Sequence, residues 1–116
     1  MDLEEILKKR GMVEILFDLK EEGEKTFTGI MNAVRLSVSA IVGRLREAEA
    51  YGLIERKACI NKGKVRVIYV LTKKGEETID KLVENKRIGE LVRTCRTLKK
   101  KVSEIEDELN VALSEV

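Results

Sequence analysis

Proline, histidine, tryptophan and glutamine are absent from these 116 residues, and aromatic side chains make up only 3%. Each absence excludes something. Without histidine no side chain titrates near neutrality in its ordinary state, so the commonest general acid–base group is missing. No glycine-rich phosphate loop or metal-ligand cluster takes its place, and the many carboxylates fall on helix surfaces, so no enzyme, metal or cofactor is expected. With two Phe, two Tyr and no Trp the core has to be aliphatic. Two cysteines, Cys59 and Cys95, are too few for a disulfide framework or a metal site, and read as reduced thiols. No apolar run approaches the ~20 residues of a membrane span, and no secretory leader pattern opens the chain. The expectation is a cytoplasmic protein without a membrane partner. Missing glutamine beside abundant Lys, Glu and Arg fits a thermophilic source.

Charge is plentiful instead. Charged residues reach 38%, and the net charge of +2 conceals a segregation. Residues 35–74 hold ten Lys/Arg against three Asp/Glu, whereas residues 1–34 hold five against eight. A basic segment flanked by acidic and neutral ones marks a surface for a polyanion.

The apolar spacing gives a mainly α fold with a small two-stranded β hairpin. Asp2 caps a short helix carrying Leu3, Ile6 and Leu7, and Gly11 interrupts it. Val13, Ile15, Leu16 and Leu19 form the stripe of a second helix, ended by Glu21-Glu22-Gly23-Glu24. Phe27, Ile30, Met31 and Val34 mark a short third helix opening near Thr26 or Thr28. Arg35-Leu36 is a turn, Ser37 caps the next helix, and Ala40, Ile41, Leu45 and Ala48 are its buried stripe. Gly52 sits at the C′ position, where positive φ is needed. Strands over 54–60 and 64–71 flank Asn61-Lys62-Gly63-Lys64, a hairpin turn. A helix then starts at Thr72 and extends toward the C-terminus, with Asn85 and Gly89 as the places where it can break. Residues 1–86 read as one domain and 87–116 as a separate C-terminal helix.

A tight-turned helix pair followed by a basic hairpin has the layout of a helix-turn-helix with a wing, whose second helix enters the major groove of duplex DNA. Val38, Ser39, Val42, Gly43 and Arg46 lie on the outward face. Of these only Ser39 and Arg46 can hydrogen-bond, so the face is lean for base reading, though its small side chains let the helix sit deep. Thr28, Arg35, Ser37 and Arg44 flank it as phosphate ligands. Lys62 and Lys64 at the hairpin tip, with Arg66 behind them, suit the phosphate backbone or the minor groove.

Residues 13–79 resemble the winged helix-turn-helix transcriptional regulators of the MarR, PadR and especially HxlR type. Phe27, Ser37, the run Leu45-Arg46-Glu47-Ala48, then Gly52-Leu53-Ile54-Glu55-Arg56, and finally Val67-Ile68-Tyr69-Val70-Leu71-Thr72-Lys73-Lys74-Gly75 carry the resemblance. It implies a DNA-binding regulator whose recognition helix and wing contact DNA and whose terminal helices dimerise. The chain differs from HxlR proteins in lacking a wing proline, an early tryptophan and an N-terminal cysteine. Two alternatives to a site-selective regulator stay open: a weakly specific, chromatin-like architectural protein, and a winged-helix adaptor that binds protein. No residue identifies a small-molecule effector.

The C-terminal helix has its own pattern. Ile88, Leu91, Cys95, Leu98, Val102, Ile105, Leu109, Ala112 and Val116 follow one another at alternating steps of three and four, the seam of a coiled coil. Residues 87–101 carry six basic residues and one acid, whereas 102–116 carry five acids and no base. Parallel pairing would align like charges, so an antiparallel homodimer is expected. It sets Val102 opposite Ile105 and Leu98 opposite Leu109 of the second copy, with Lys99 facing Glu106. The overlap of residues 91–116 spans ~39 Å at the helical rise, close to the ~34 Å between successive major grooves on one DNA face.

Overall fold

A computed structural model describes residues 2–116. The elements run α1 (Leu3–Leu7), α2 (Met12–Glu22), β1 (Glu24–Lys25), α3 (Phe27–Ala33), α4 (Val38–Ala50), β2 (Ile54–Asn61), β3 (Lys64–Leu71), α5 (Lys73–Glu84) and α6 (Lys86–Ser114). Side-chain caps fix most helix starts. The hydroxyl of Thr26 accepts from the Gly29 N–H at 3.2 Å, that of Ser37 from Ala40 at 3.2 Å and that of Thr72 from Gly75 at 3.0 Å. Each satisfies one of the orphan donors of a first helical turn, worth about 1 kcal/mol.

The sheet has three strands rather than the two expected, in the order β1-β3-β2 and antiparallel throughout. Glu24 and Lys25 pair with Val70 and Tyr69, so the segment that ends α2 also closes one edge of the hairpin base. The β2–β3 hairpin turns through Lys62 at φ 53° and Gly63 at φ 76°. Positive φ at both central residues is the requirement of a type I′ turn, whose twist matches that of the strands.

The core is aliphatic, as the composition demands. Ile6, Met12, Ile15, Leu16, Leu19, Ile30, Ile41, Leu45, Leu53 and Ile79 are almost wholly buried, each stabilising the fold by roughly 1.5–3 kcal/mol through lost apolar surface. Gly75 lets α5 close on this core: a Cβ there would lie 2.0 Å from the Leu53 carbonyl oxygen.

The C-terminal helical stretch breaks at Asn85, whose side chain accepts from the Ile88 N–H at 3.2 Å and caps α6. Gly89 stays helical and buried. The first half of α6 packs on the body through Val92, and Arg93 lies over the Phe17 ring at 5.8 Å. From Glu104 onward every residue is exposed. Among the described residues no helix is long and apolar enough to cross a membrane.

Candidate nucleic-acid interface

The helix-turn-helix is α3, the turn at Arg35-Leu36, and α4. Ile41, Leu45 and Ala48 bury one side of α4, which turns Ser39 and Arg46 outward beside the half-exposed Val42 and Gly43. Val38 is 53% exposed at the leading end. Ser37 spends its oxygen on the cap and lies 3.3 Å from the Ser39 hydroxyl, so these two form one polar spot. Gly43 has no packing reason to be glycine. A Cβ built on it meets only the Glu47 carboxylate, at 3.9 Å.

Strand register sorts the hairpin into two faces, because residues directly paired across an antiparallel ladder share a side. Asn61 pairs with Lys64, Cys59 with Arg66 and Lys57 with Ile68, which puts Lys57, Lys64 and Arg66 on one face. Ala58 with Val67 and Ile60 with Val65 make the other face, apolar yet exposed. Lys57 belongs with the wing cations, although residue spacing alone did not single it out. Thr28, near the start of α3, lines the same shallow hollow as Arg66.

The acids of the basic segment decide which cations remain available. Glu47 pairs with Lys9 at 2.5 Å and with Arg44 at 3.4 Å. Glu49 pairs with Arg56 at 2.7 Å, tying β2 to α4. Arg44, expected as a phosphate ligand, is therefore a half-buried brace on Glu47. Among the described residues Arg35, Arg46, Lys57, Lys62, Lys64 and Arg66 make no ion pair, and all six are exposed. An unpaired exposed cation can trade solvent for a phosphate without first breaking a protein contact.

Behind this surface sits a charge cluster that the sequence did not reveal. Asp18 of α2 is 2% exposed and takes Lys25 of β1 at 2.9 Å and Arg96 of α6 at 3.5 Å. Arg96 also bonds Glu22. One buried carboxylate thus joins the strand beside the wing to the C-terminal helix. No group of His, Cys, Asp and Glu among the described residues could hold a metal ion.

The expected seam of α6 is largely unpartnered within the chain. Ile88 and Val102 are half-buried, whereas Cys95, Ala112 and Val116 are exposed with Leu91, Leu98, Ile105 and Leu109. These four leucine and isoleucine side chains are 55–63% exposed. The side that packs on the body is a neighbouring stripe, Val92, Arg96, Lys99 and Ser103.

Comparison with known proteins agrees with this layout. The chain matches the HxlR-like helix-turn-helix family over residues 6–96. No curated protein sequence matches it. Among solved structures, the reduced form of the transcriptional regulator YodB from B. subtilis is 30% identical, with 72% of this chain and 80% of that one covered and a TM-score of 0.64. A transcriptional regulator of the MarR family from Enterococcus faecalis is 26% identical over 86% of this chain and 84% of that one, at a TM-score of 0.65. MarR from E. coli, 16% identical over 94% and 84% of the two chains, shares the fold at a TM-score of 0.61. The winged helix-turn-helix built by α3, α4 and the β2–β3 hairpin belongs to the HxlR-like family of DNA-binding transcriptional regulators.

Proposed function

We propose that the chain acts as a homodimer that binds double-stranded DNA site-selectively, with α4 in the major groove and the basic wing face on the backbone or minor groove. The observation that carries this reading is the set of six exposed, unpaired cations on the turn, α4 and the wing. Arg46 and Ser39 are the base-reading candidates. Arg35, Ser37, Thr28, Lys57, Lys62, Lys64 and Arg66 hold phosphates, and Val38 and Val42 offer methyl contacts to thymine.

Homodimerisation rests on the exposed seam of α6. Four large aliphatic side chains on one stripe, each more than half exposed, call for a covering surface, and a second copy offers the same stripe. The opposite charges of the two half-helices favour the antiparallel arrangement. The seam thereby places two winged units on one duplex, each too sparsely furnished to select a site alone.

Selection of binding sites from random duplex tests the proposal. A consensus with two half-sites related by a dyad supports it. Binding without any consensus points instead to an architectural protein, a reading favoured by the two hydrogen-bonding side chains on the outward face of α4. Absence of duplex binding at low salt refutes both and leaves the protein-binding adaptor.

A further inference from the structure

Beside the turn that joins α3 to α4 lies an open groove of about 650 Å³. Segments far apart in the sequence meet on it: Arg10 from the α1–α2 connection, Arg35 from the turn and Lys99 from α6. Ser37, at the head of α4, borders it, and Val34 and Leu36 give it apolar wall. Arg44 lines it too, but its guanidinium is held on Glu47. Among the described residues Arg10, Arg35 and Lys99 make no ion pair. Their mutual repulsion works against the fold, and one sign of charge over apolar walls raises the local concentration of anions. The acid among the lining residues is Glu106 of α6, and it pairs with none of these cations.

We propose that this groove receives a backbone phosphate of the bound duplex on Arg10 and Lys99 together with Arg35, and that Glu106 at its border is the chain's own competitor for those cations. The inference rests on the DNA-binding reading above and adds to that interface two cations from outside the helix-turn-helix. Arg35 and Ser37 belong both to the groove and to the surface around the head of α4. A strand whose major groove takes α4 therefore passes its phosphates along this edge. An arginine fork meets a phosphate through two parallel hydrogen bonds, and a lysine adds a point charge. Arg44, the cation that residue spacing offers for this place, is occupied by Glu47, and Arg10 takes its part once α1 and α2 pack. The Glu106 carboxylate offsets part of the positive field and repels an arriving phosphate, so it holds affinity below what the cations alone would give.

Fluorescence anisotropy of the full chain on duplex DNA, taken through a salt series, tests this with Arg10→Gln, Lys8→Gln and Glu106→Gln, all at exposed positions. Arg10→Gln should weaken binding about tenfold at low salt. It should also flatten the slope of log K against log salt by about 0.9 per subunit, the share of one phosphate. Lys8→Gln removes the same charge from the same segment but outside the groove, and should leave the slope unchanged. Glu106→Gln should tighten binding about threefold at low salt. Loss of a dimer contact would act in the opposite direction, so the sign separates the two effects. Arg10 has no ion-pair partner to lose, and Arg10→Gln should melt no lower than the wild type. A wild-type slope in Arg10→Gln, or equal flattening by Lys8→Gln, overturns the phosphate contact. Glu106→Gln that binds no more tightly overturns the part given to Glu106. If millimolar inorganic phosphate raises the melting temperature of the wild type and not of Arg10→Gln, while both bind duplex equally, the groove belongs to a free oxyanion and the DNA assignment is overturned. A wild type that binds no duplex at low salt overturns the DNA-binding reading itself.

Discussion

Gly43 separates folding from DNA contact, and Gly43→Ala should push the two in opposite directions. The residue lies inside α4, where glycine costs about 0.8–1.0 kcal/mol relative to alanine. The new methyl group has room, because its nearest neighbour would be the Glu47 carboxylate at 3.9 Å. The variant should therefore be more stable by about 1 kcal/mol, a rise of about 4 °C in Tm for a domain of this size. The same methyl group projects from the outward face between Ser39 and Arg46 and holds the helix backbone away from the groove floor. Loss of one hydrogen bond or close contact, about 1 kcal/mol, corresponds to roughly fivefold weaker binding. Gly43→Leu should weaken binding further without unfolding the chain. Differential scanning calorimetry and fluorescence anisotropy on a selected duplex measure the two effects. A higher Tm with unchanged affinity would refute deep seating of α4, and a lower Tm would refute the open space around Gly43.

Other substitutions probe the scaffold. Gly75→Ala should lower stability by about 1–3 kcal/mol, since its Cβ would lie 2.0 Å from a backbone oxygen that has little freedom to yield; thermal melts check this. Asp18→Ala strands Lys25 and leaves Arg96 with Glu22 alone. Breaking a buried pair costs roughly 3–5 kcal/mol, and the partial exposure of both cations puts the expected loss at the lower end, measurable by urea denaturation. Leu109→Asp should leave a folded monomer and lower affinity for a two-half-site duplex far more than for a single half-site. Equal losses on both duplexes would detach the seam from DNA binding.

Local signals were legible in the sequence where a residue's own chemistry settles the backbone. The Ser37 cap needs only a hydroxyl before an apolar stripe. The C′ position of Gly52, at φ 71°, and the Lys62–Gly63 turn need only residues that accept positive φ. What long-range packing decides was not legible. Glu24 and Lys25 have no strand character, and they form β1 because the edge of β3 is offered to them. Asp18 reads as one more helical carboxylate, yet tertiary contacts bury it between two cations. Arg10 enters the groove beside the turn only once α1 and α2 pack. Of the two weak points in the C-terminal stretch the chain breaks at Asn85, whose side chain can cap a new helix. Gly89 stays helical, and a Cβ there would come 2.9 Å from the Val83 carbonyl oxygen. Arg44 was legible as a cation near the recognition helix and Glu47 stands at the i,i+3 spacing of a helical pair, but the Lys9 that shares this carboxylate became visible only in the fold.

The salt dependence of DNA binding tests the central claim most directly, measured for the wild type and for Lys62→Ala/Lys64→Ala/Arg66→Ala. Each phosphate contact contributes about 0.9 to the slope of log K against log salt. The wild type should therefore show a steep negative slope, and the triple variant one shallower by about 2.7 per subunit if all three cations hold phosphates. Because these side chains are exposed and unpaired, its melting temperature should not change. Binding that is insensitive to salt, or a slope left unchanged by removal of all three wing cations, would contradict the account.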